Sequence, residues 1–352
     1  MRMWALFAAR EPLRAVDLEN PSPQGAEVLV RVSHCGVCHT DLHFWEGEFN
    51  LGRGKVLTLA DRGTKLPMAL GHEIVGRVVA VGPEATGVAM GDRRIVFPWI
   101  GCGTCARCKA GDENLCANQR SIGLARNGGF ATHVLVPHSR YLVDPGGLDP
   151  ALAGTYACSG ITVLGAIRKL GKIEPDSPVL IIGAGGLGHA AIAILVAMGH
   201  RNIIVAEISE AKRRAALDAG ASSVVDAAAD DVVERIAQAA KGPLYHAIDF
   251  VSNTRTANFA NDSLAKSGTL VLVGVAGGEM DLSLMRMVSG ARSIIGSNAG
   301  NLQDLKDLVA LASEGKLKPI PITRMPMEQV NDALRTLQAG SVTGRIVLEG
   351  AE

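Results

Sequence analysis

Apolar and polar positions along this chain fall into two textures, and the change comes after Cys158. Upstream, apolar residues come in short runs cut by glycine and proline. Val28, Val30 and Val32 alternate with Leu29, Arg31 and Ser33, which predicts a strand with one face buried. Further strands are predicted over residues 74–81, closed by Gly82-Pro83, over 94–97 behind Gly91-Asp92, and over 130–136, stopped by Pro137. Such strands suggest a compact, largely β, barrel-like unit. Residues 50–66 show mixed polarity and no period, so they read as a long loop, either a lid or a solvated excursion.

Downstream, wholly apolar strands alternate with helical stretches. Strands are predicted over 178–182, 202–206, 247–251, 269–273 and 293–296. Helices are predicted over 187–198 and from the N-cap Ser209 to Gly220. Continuous apolar strands separated by helices predict a doubly wound parallel sheet. A tail follows with helices near 302–313 and 329–338, a proline-punctuated segment at 319–326 and a last strand at 345–348.

Length and composition narrow the class. With 352 residues the chain has room for about two domains. Lys plus Arg and Asp plus Glu are 35 each, and no basic run stands out, which argues against nucleic acid or a membrane surface as partner. The apolar run in residues 3–9 is too short for a secretory signal, and no stretch of about 18 uninterrupted apolar residues occurs. Seven cysteines, four of them in one short segment, point to metal thiolates in a reducing, cytoplasmic setting rather than to disulfides.

Cys102, Cys105, Cys108 and Cys116 give C-x2-C-x2-C-x7-C, with Gly101, Gly103 and Gly111 to supply tight turns. Four thiolates at such spacings converge on one tetrahedral ion, a closed structural zinc site in a lobe of about residues 98–118. An iron–sulfur cluster would want a closer fourth cysteine followed by proline, whereas Ala117 follows Cys116.

Cys38-His39-Thr40-Asp41-Leu42-His43 packs a thiol, imidazoles, a hydroxyl and a carboxylate into six positions. Alone it reads equally as a surface cysteine beside solvated histidines. With His72, in Gly71-His72-Glu73, and with Cys158, Cys38 completes a Cys, His, Cys set that leaves a zinc's fourth position open. Glu73 is either an outer carboxylate or an occasional fourth ligand, and Asp41 suits the task of orienting a ligand's far N–H. Cys35 reads as a small buried hydrophobe.

Gly183-Ala184-Gly185-Gly186-Leu187-Gly188 is G-x-G-x-x-G, placed after a strand and opening a helix, where a dinucleotide pyrophosphate would sit. Glu207, at the end of the next strand, suits the ribose hydroxyls and would repel a 2′-phosphate, so NAD is favoured over NADP. Lys212 and Arg213 nearby keep NADP open, and a solvated helix-entry acid is the plain alternative for Glu207.

Together these motifs resemble the zinc-dependent medium-chain alcohol dehydrogenases, in the family's order and over essentially the whole chain. The resemblance implies a GroES-like catalytic domain with the zinc lobe (1–158), a Rossmann coenzyme domain (159–298) and a C-terminal segment (299–352) returning to the first. It implies two zinc ions per subunit, one catalytic and one structural, and reversible hydride transfer between a small-molecule alcohol and NAD. Thr40 and His43 would form the proton relay. His39 and Arg345 would lie near the pyrophosphate, Thr162 at the nicotinamide, and Val273 and Val275 beside its carboxamide. Phe49 and Trp99 would line a pocket for a primary or secondary alcohol, aromatic and medium-length ones included. A homotetramer or homodimer is expected. A polyol or sugar dehydrogenase of the same fold, which commonly lacks a thiolate at the place of Cys158, and a non-catalytic zinc-binding relative are the competing readings. The segment between Phe49 and Gly71 looks longer than in short bacterial and yeast-type members, which bears on the shape of the pocket mouth.

Overall fold

The structure, a computed structural model, describes residues 1–350. The upstream texture builds a seven-stranded sheet around one long strand, Val28–Val37. Its neighbours are Glu73–Val81 and Arg345–Glu349, both antiparallel, and His133–Val136 pairs with its first half. Arg93–Val96 and Leu142–Val143 extend one side, and Ile322–Pro326 runs parallel to Arg345–Glu349 on the other. The C-terminal tail thus supplies two strands to the sheet begun near the N-terminus. A smaller sheet of Arg14–Asp17, Arg2–Leu6 and Met68–Ala69 packs beside it. One face of this strand is buried as expected, with Val28, Val30 and Val32 at most 1% exposed; on the other face Arg31 points out but Leu29 is buried as well.

The downstream texture builds six parallel strands in the order Ser223–Asp226, Ile203–Glu207, Val179–Ile182, His246–Asp249, Thr269–Leu272 and Ser293–Gly296. Order reverses between the strands at 179 and 246, and in such sheets ligands bind at the carboxyl ends beside that reversal. Register puts Ile182 level with Ala206 and Asp249, so the glycine loop, Glu207 and the segment after Leu272 share one edge.

Several expectations are amended. The segment read as a loop holds a hairpin, Glu48–Asn50 with Val56–Thr58. Its three-residue strands are too short to print a period. Three more strands are present: Arg2–Leu6, whose apolar run has no alternation, and Arg14–Asp17 and Ser223–Asp226, four residues each and of mixed polarity. Residues 39–46 form a helix, which their polar composition hid. Residues Pro150–Lys169 form one helical run that is long and apolar enough to cross a membrane by composition. It is almost wholly buried, packed against strands Val28–Val37 and Glu73–Val81 and against helix Gly186–Ala197, and so serves as a core helix.

Candidate metal and coenzyme site

Three separate segments deliver the cleft donors. Cys38 directly follows the central strand and is the N-cap of helix His39–Glu46. His72 sits one residue before the neighbouring strand begins. Cys158 lies within the helical run, in a π turn over Tyr156–Gly160, a local widening frequent at functional sites. The donor atoms of Cys38, His72 and Cys158 all lie within 4.8 Å of one another.

A tetrahedral zinc fits these residues. Two sulfurs, each about 2.3 Å from such an ion, sit about 3.8 Å apart; the Cys38 and Cys158 sulfurs are 3.9 Å apart. His72 is fully buried, with Nδ1 3.1 Å from Asp41 Oδ1 and Nε2 left without a protein partner. A buried ring nitrogen without a partner is costly, and a metal satisfies it. The Asp41 carboxylate also accepts from the backbone N–H groups of Cys38 (2.9 Å) and Gly71 (3.0 Å). One residue therefore ties the Cys38 turn to the His72 turn. The hydrogen bond from Cys158 is the largest of the effects that hold the Cys38 thiol well below its usual range. The same bond raises the Cys158 pKa.

Glu73 stands outside the three-donor group. It is fully buried, pairs with the Arg345 guanidinium and accepts from the Ser159 N–H at 3.3 Å. Glycine at 36 makes room for it, since a Cβ there would lie 2.0 Å from Glu73 Oε2. Arg345 is 4% exposed and packs its side chain against Gly186 in the glycine loop. The Glu73–Arg345 pair thus links the cleft donors to the dinucleotide loop. Sequence reading placed each residue near a different ligand and missed their mutual bond, because 272 residues separate them.

The four lobe cysteines also converge, with donor atoms within 4.8 Å of one another and sulfur separations of 3.5–3.9 Å between contacting pairs. Glu113 braces the lobe, accepting from Gly101 N–H and from the Tyr141 hydroxyl at 2.7 Å and pairing with Arg140 at 2.8 Å. None of the seven cysteines is in a disulfide.

At the coenzyme edge, Gly183 takes φ +91, and a Cβ at Gly188 would meet the Gly183 carbonyl at 2.0 Å. Only glycine allows that tight turn into helix Gly186–Ala197. Gly185 is that helix's N-cap, and Leu187 in its first turn is half-buried. The buried Glu207 carboxylate accepts from Ala184 N–H (2.8 Å) and Ser209 N–H (2.9 Å), which fixes it beside the loop. Arg213 is engaged with Asp226 at 3.3 Å and with the carbonyls of Glu207 and Ile208, and Lys212 donates to the Gly340 carbonyl at 2.9 Å. Desolvation lowers the His39 pKa, and the charges of Arg345 and Lys212 push the same way, so three basic residues from distant segments gather here. Thr162 is buried, Val273 half-buried and Val275 59% exposed, the two valines just past the Leu272 strand end.

Thr40 and His43 occupy the helix after Cys38, with His43 Nδ1 3.4 Å from Glu46. Phe49 packs edge-on against Phe44 at 5.4 Å and lies 6.1 Å from the His43 ring. The Arg62 guanidinium covers the Phe49 ring at 4.8 Å. Trp99 is buried, edge-to-face with His72 at 5.5 Å, and its indole N–H donates to the Ala157 carbonyl at 3.0 Å.

A three-donor metal cradle joined through a buried ion pair to a dinucleotide-type glycine loop defines a class, the metal-binding, dinucleotide-linked dehydrogenases. Comparison with known proteins narrows it. Residues 24–145 match the alcohol dehydrogenase GroES-like domain, and residues 186–314 match the zinc-binding dehydrogenase domain. The chain is 37% identical to an NAD-dependent alcohol dehydrogenase of Sulfurisphaera tokodaii over 350 residues, 99% of each chain. It is also 37% identical over 346 residues to a D-arabinose 1-dehydrogenase (NADP(+)) of Saccharolobus solfataricus, covering 96% of this chain and 94% of that one. The crystal structure of the alcohol dehydrogenase from Aeropyrum pernix superposes with a TM-score of 0.89 at 32% identity, over 99% of this chain and 100% of that one. This chain belongs to the zinc-binding alcohol dehydrogenase family.

Proposed function

We propose that the protein is a zinc- and NAD-dependent alcohol dehydrogenase, interconverting a primary or secondary alcohol with its aldehyde or ketone. One observation carries the reading: a buried His72 Nε2 without a protein partner, aimed among two sulfurs at tetrahedral spacing. Cys38, His72 and Cys158 hold the catalytic zinc, and Cys102, Cys105, Cys108 and Cys116 hold a second, structural one. When bound, zinc supplies Lewis acidity that acidifies a hydroxyl, and the nicotinamide supplies a hydride acceptor. The chain's own residues do the rest. Asp41 orients His72. Thr40 and His43 pass the hydroxyl proton towards solvent, with Glu46 beside the imidazole. Lys212 and Arg345 would place positive charge near the pyrophosphate, His39 would offer it a neutral imidazole N–H, and Thr162, Val273 and Val275 would border the nicotinamide. Glu73 supports the zinc ligands from behind, through Ser159 and Arg345.

Glu207, held by two backbone donors, presents its charge where a 2′-phosphate would lie, which supports NAD over NADP. Phe49 and Trp99 give the cleft an apolar, aromatic wall, which supports an apolar alcohol. A homodimer or homotetramer is consistent with helix Leu284–Gly290, whose Leu284, Met285 and Val288 are 74–80% exposed beside Ser293–Gly296, the last strand of the six-stranded order. A cytoplasmic location suits seven reduced cysteines.

Metal analysis with an alcohol panel tests the reading. Two zinc ions per chain and faster reduction of NAD than of NADP by apolar alcohols are expected. One zinc per chain, or turnover of D-arabinose with NADP ahead of every alcohol, would reject it.

A further inference from the structure

Cys158 reaches the metal cradle from a helix whose hydrogen-bond register is broken, and the break is filled from outside. The Ile161 N–H donates to the Tyr156 and Cys158 carbonyls and passes over that of Ala157. In an α-helical register that N–H would go to Ala157 itself. The Ala157 carbonyl accepts instead from the indole N–H of Trp99, 3.0 Å away. Ser159 shows the complementary arrangement: its N–H donates to Glu73, while its hydroxyl donates back to Thr155 O at 2.8 Å. Both neighbours of Cys158 are thus pinned by side chains from other elements.

Trp99 reaches this position from the root of the four-cysteine lobe, three residues before Cys102. Its own backbone is framed there, because the Pro98 carbonyl accepts from Ile122 N–H at 3.0 Å and the Ile100 carbonyl accepts from Arg120 N–H at 2.7 Å. The ring that carries the N–H also rests against His72 at 5.5 Å. One rigid side chain therefore touches two of the three donor-bearing segments. Tryptophan suits the task because it joins a broad ring face to a donor at its edge, which phenylalanine lacks.

We propose that Trp99 is a positioning residue for the catalytic zinc: its indole N–H holds open the π turn that aims Cys158, and its ring fixes the plane of His72. The proposal rests on Cys38, His72 and Cys158 being the zinc ligands, and it goes beyond Trp99 lining the alcohol pocket. Without the indole donor, the buried Ala157 carbonyl favours return to the α-helical register. That return would turn Cys158 away from its present direction. Outer partners of metal ligands typically set affinity by ten- to a hundredfold.

The experiment is Trp99→Phe, which keeps an aromatic ring against His72 and removes the donor. With cobalt in the cleft site, the variant should release metal to a chelator on the order of tenfold faster than the parent. Its thiolate-to-cobalt absorption band should shift, and kcat should fall with little change in KM for a small alcohol. The four-cysteine lobe should keep its metal. If Trp99 only lines the pocket, KM will vary with alcohol size while cobalt release and spectrum match the parent, and the proposal is overturned. Undiminished metal content in Cys38→Ser would reject the ligand set itself, a separate failure. If Trp99→Phe does not fold, hydrogen exchange of the Trp99 indole proton in the unmodified protein decides. Chelating the cleft metal should accelerate it, and an unchanged rate overturns the proposal.

Discussion

The four-cysteine lobe and the cleft site are both thiol-rich metal cradles, yet they are built in opposite ways. The lobe draws its four donors from one segment between Cys102 and Cys116, folded on tight turns. The cleft draws three donors from a strand end, a turn and a helix interior, with 120 residues between its two cysteines. Four donors close a tetrahedron, and three leave a position for chemistry. The lobe is local, with all four donors from one short segment. The cleft depends on the packing of the whole molecule, and its outer partners Asp41, Glu73 and Trp99 come from different elements. Trp99 stands at the lobe's root and touches His72 and the Ala157 carbonyl beside Cys158.

Substitutions should separate the two cradles. The largest effect on turnover is expected from Cys38→Ser: activity should vanish, zinc should fall from two to one per chain, and the melting temperature should move little. Substantial residual turnover would show that the cleft is not the reaction centre. Cys105→Ser should do the reverse. Loss of the lobe metal removes folding free energy directly, so a clearly lower melting temperature is expected, with activity lost only as the fold is lost. Equal melting temperatures for Cys105→Ser and its parent would contradict the structural role.

Asp41→Asn tests how the cleft is held without touching a ligand. The amide keeps the shape but weakens the bond to His72, and zinc affinity at the cleft should drop by about ten- to a hundredfold. Titration against a competing chelator would measure it, and the lobe zinc serves as the internal standard. The smallest expected effect is a pH dependence of the lobe. Burial, together with the bond to Glu113, pushes the Tyr141 phenol up to about 12, while an unfolded phenol ionises near 10. The folded state keeps a proton that the unfolded state gives up. The resulting stability is therefore fully present below about pH 10 and fades as pH rises towards about 12. Thermal melts of Tyr141→Phe should lack this component of the alkaline decline. An identical decline in both proteins would remove Tyr141 from the account.

What could be read from the chain follows the same division. The lobe was legible because its donors are close enough in sequence for spacing alone to imply convergence. The six parallel strands were largely legible because burial on both faces makes continuous apolar runs; Ser223–Asp226, with one buried and one half-buried valine between a serine and an aspartate, was too short and mixed to register. The hairpin at 48–58 was illegible because its strands have three residues each, and helix His39–Glu46 because polar residues outnumber its apolar ones. The partnership of Glu73 with Arg345 was out of reach for a different reason: nothing in either residue's neighbourhood names the other.

Sequence by itself determined the parts: a thiol quartet, a glycine loop between strand and helix, and a Cys, a His and a further Cys of the right kinds. Those follow from local spacing and from the burial periodicity of single elements. Tertiary structure alone decided how the cleft is held. The central strand brings Gly36 level with Glu73, the missing side chain leaves room for a carboxylate, and a π turn is kept open by an indole from another segment. Such choices rest on contacts between residues far apart in the chain, and they become definite only when the core between them is packed.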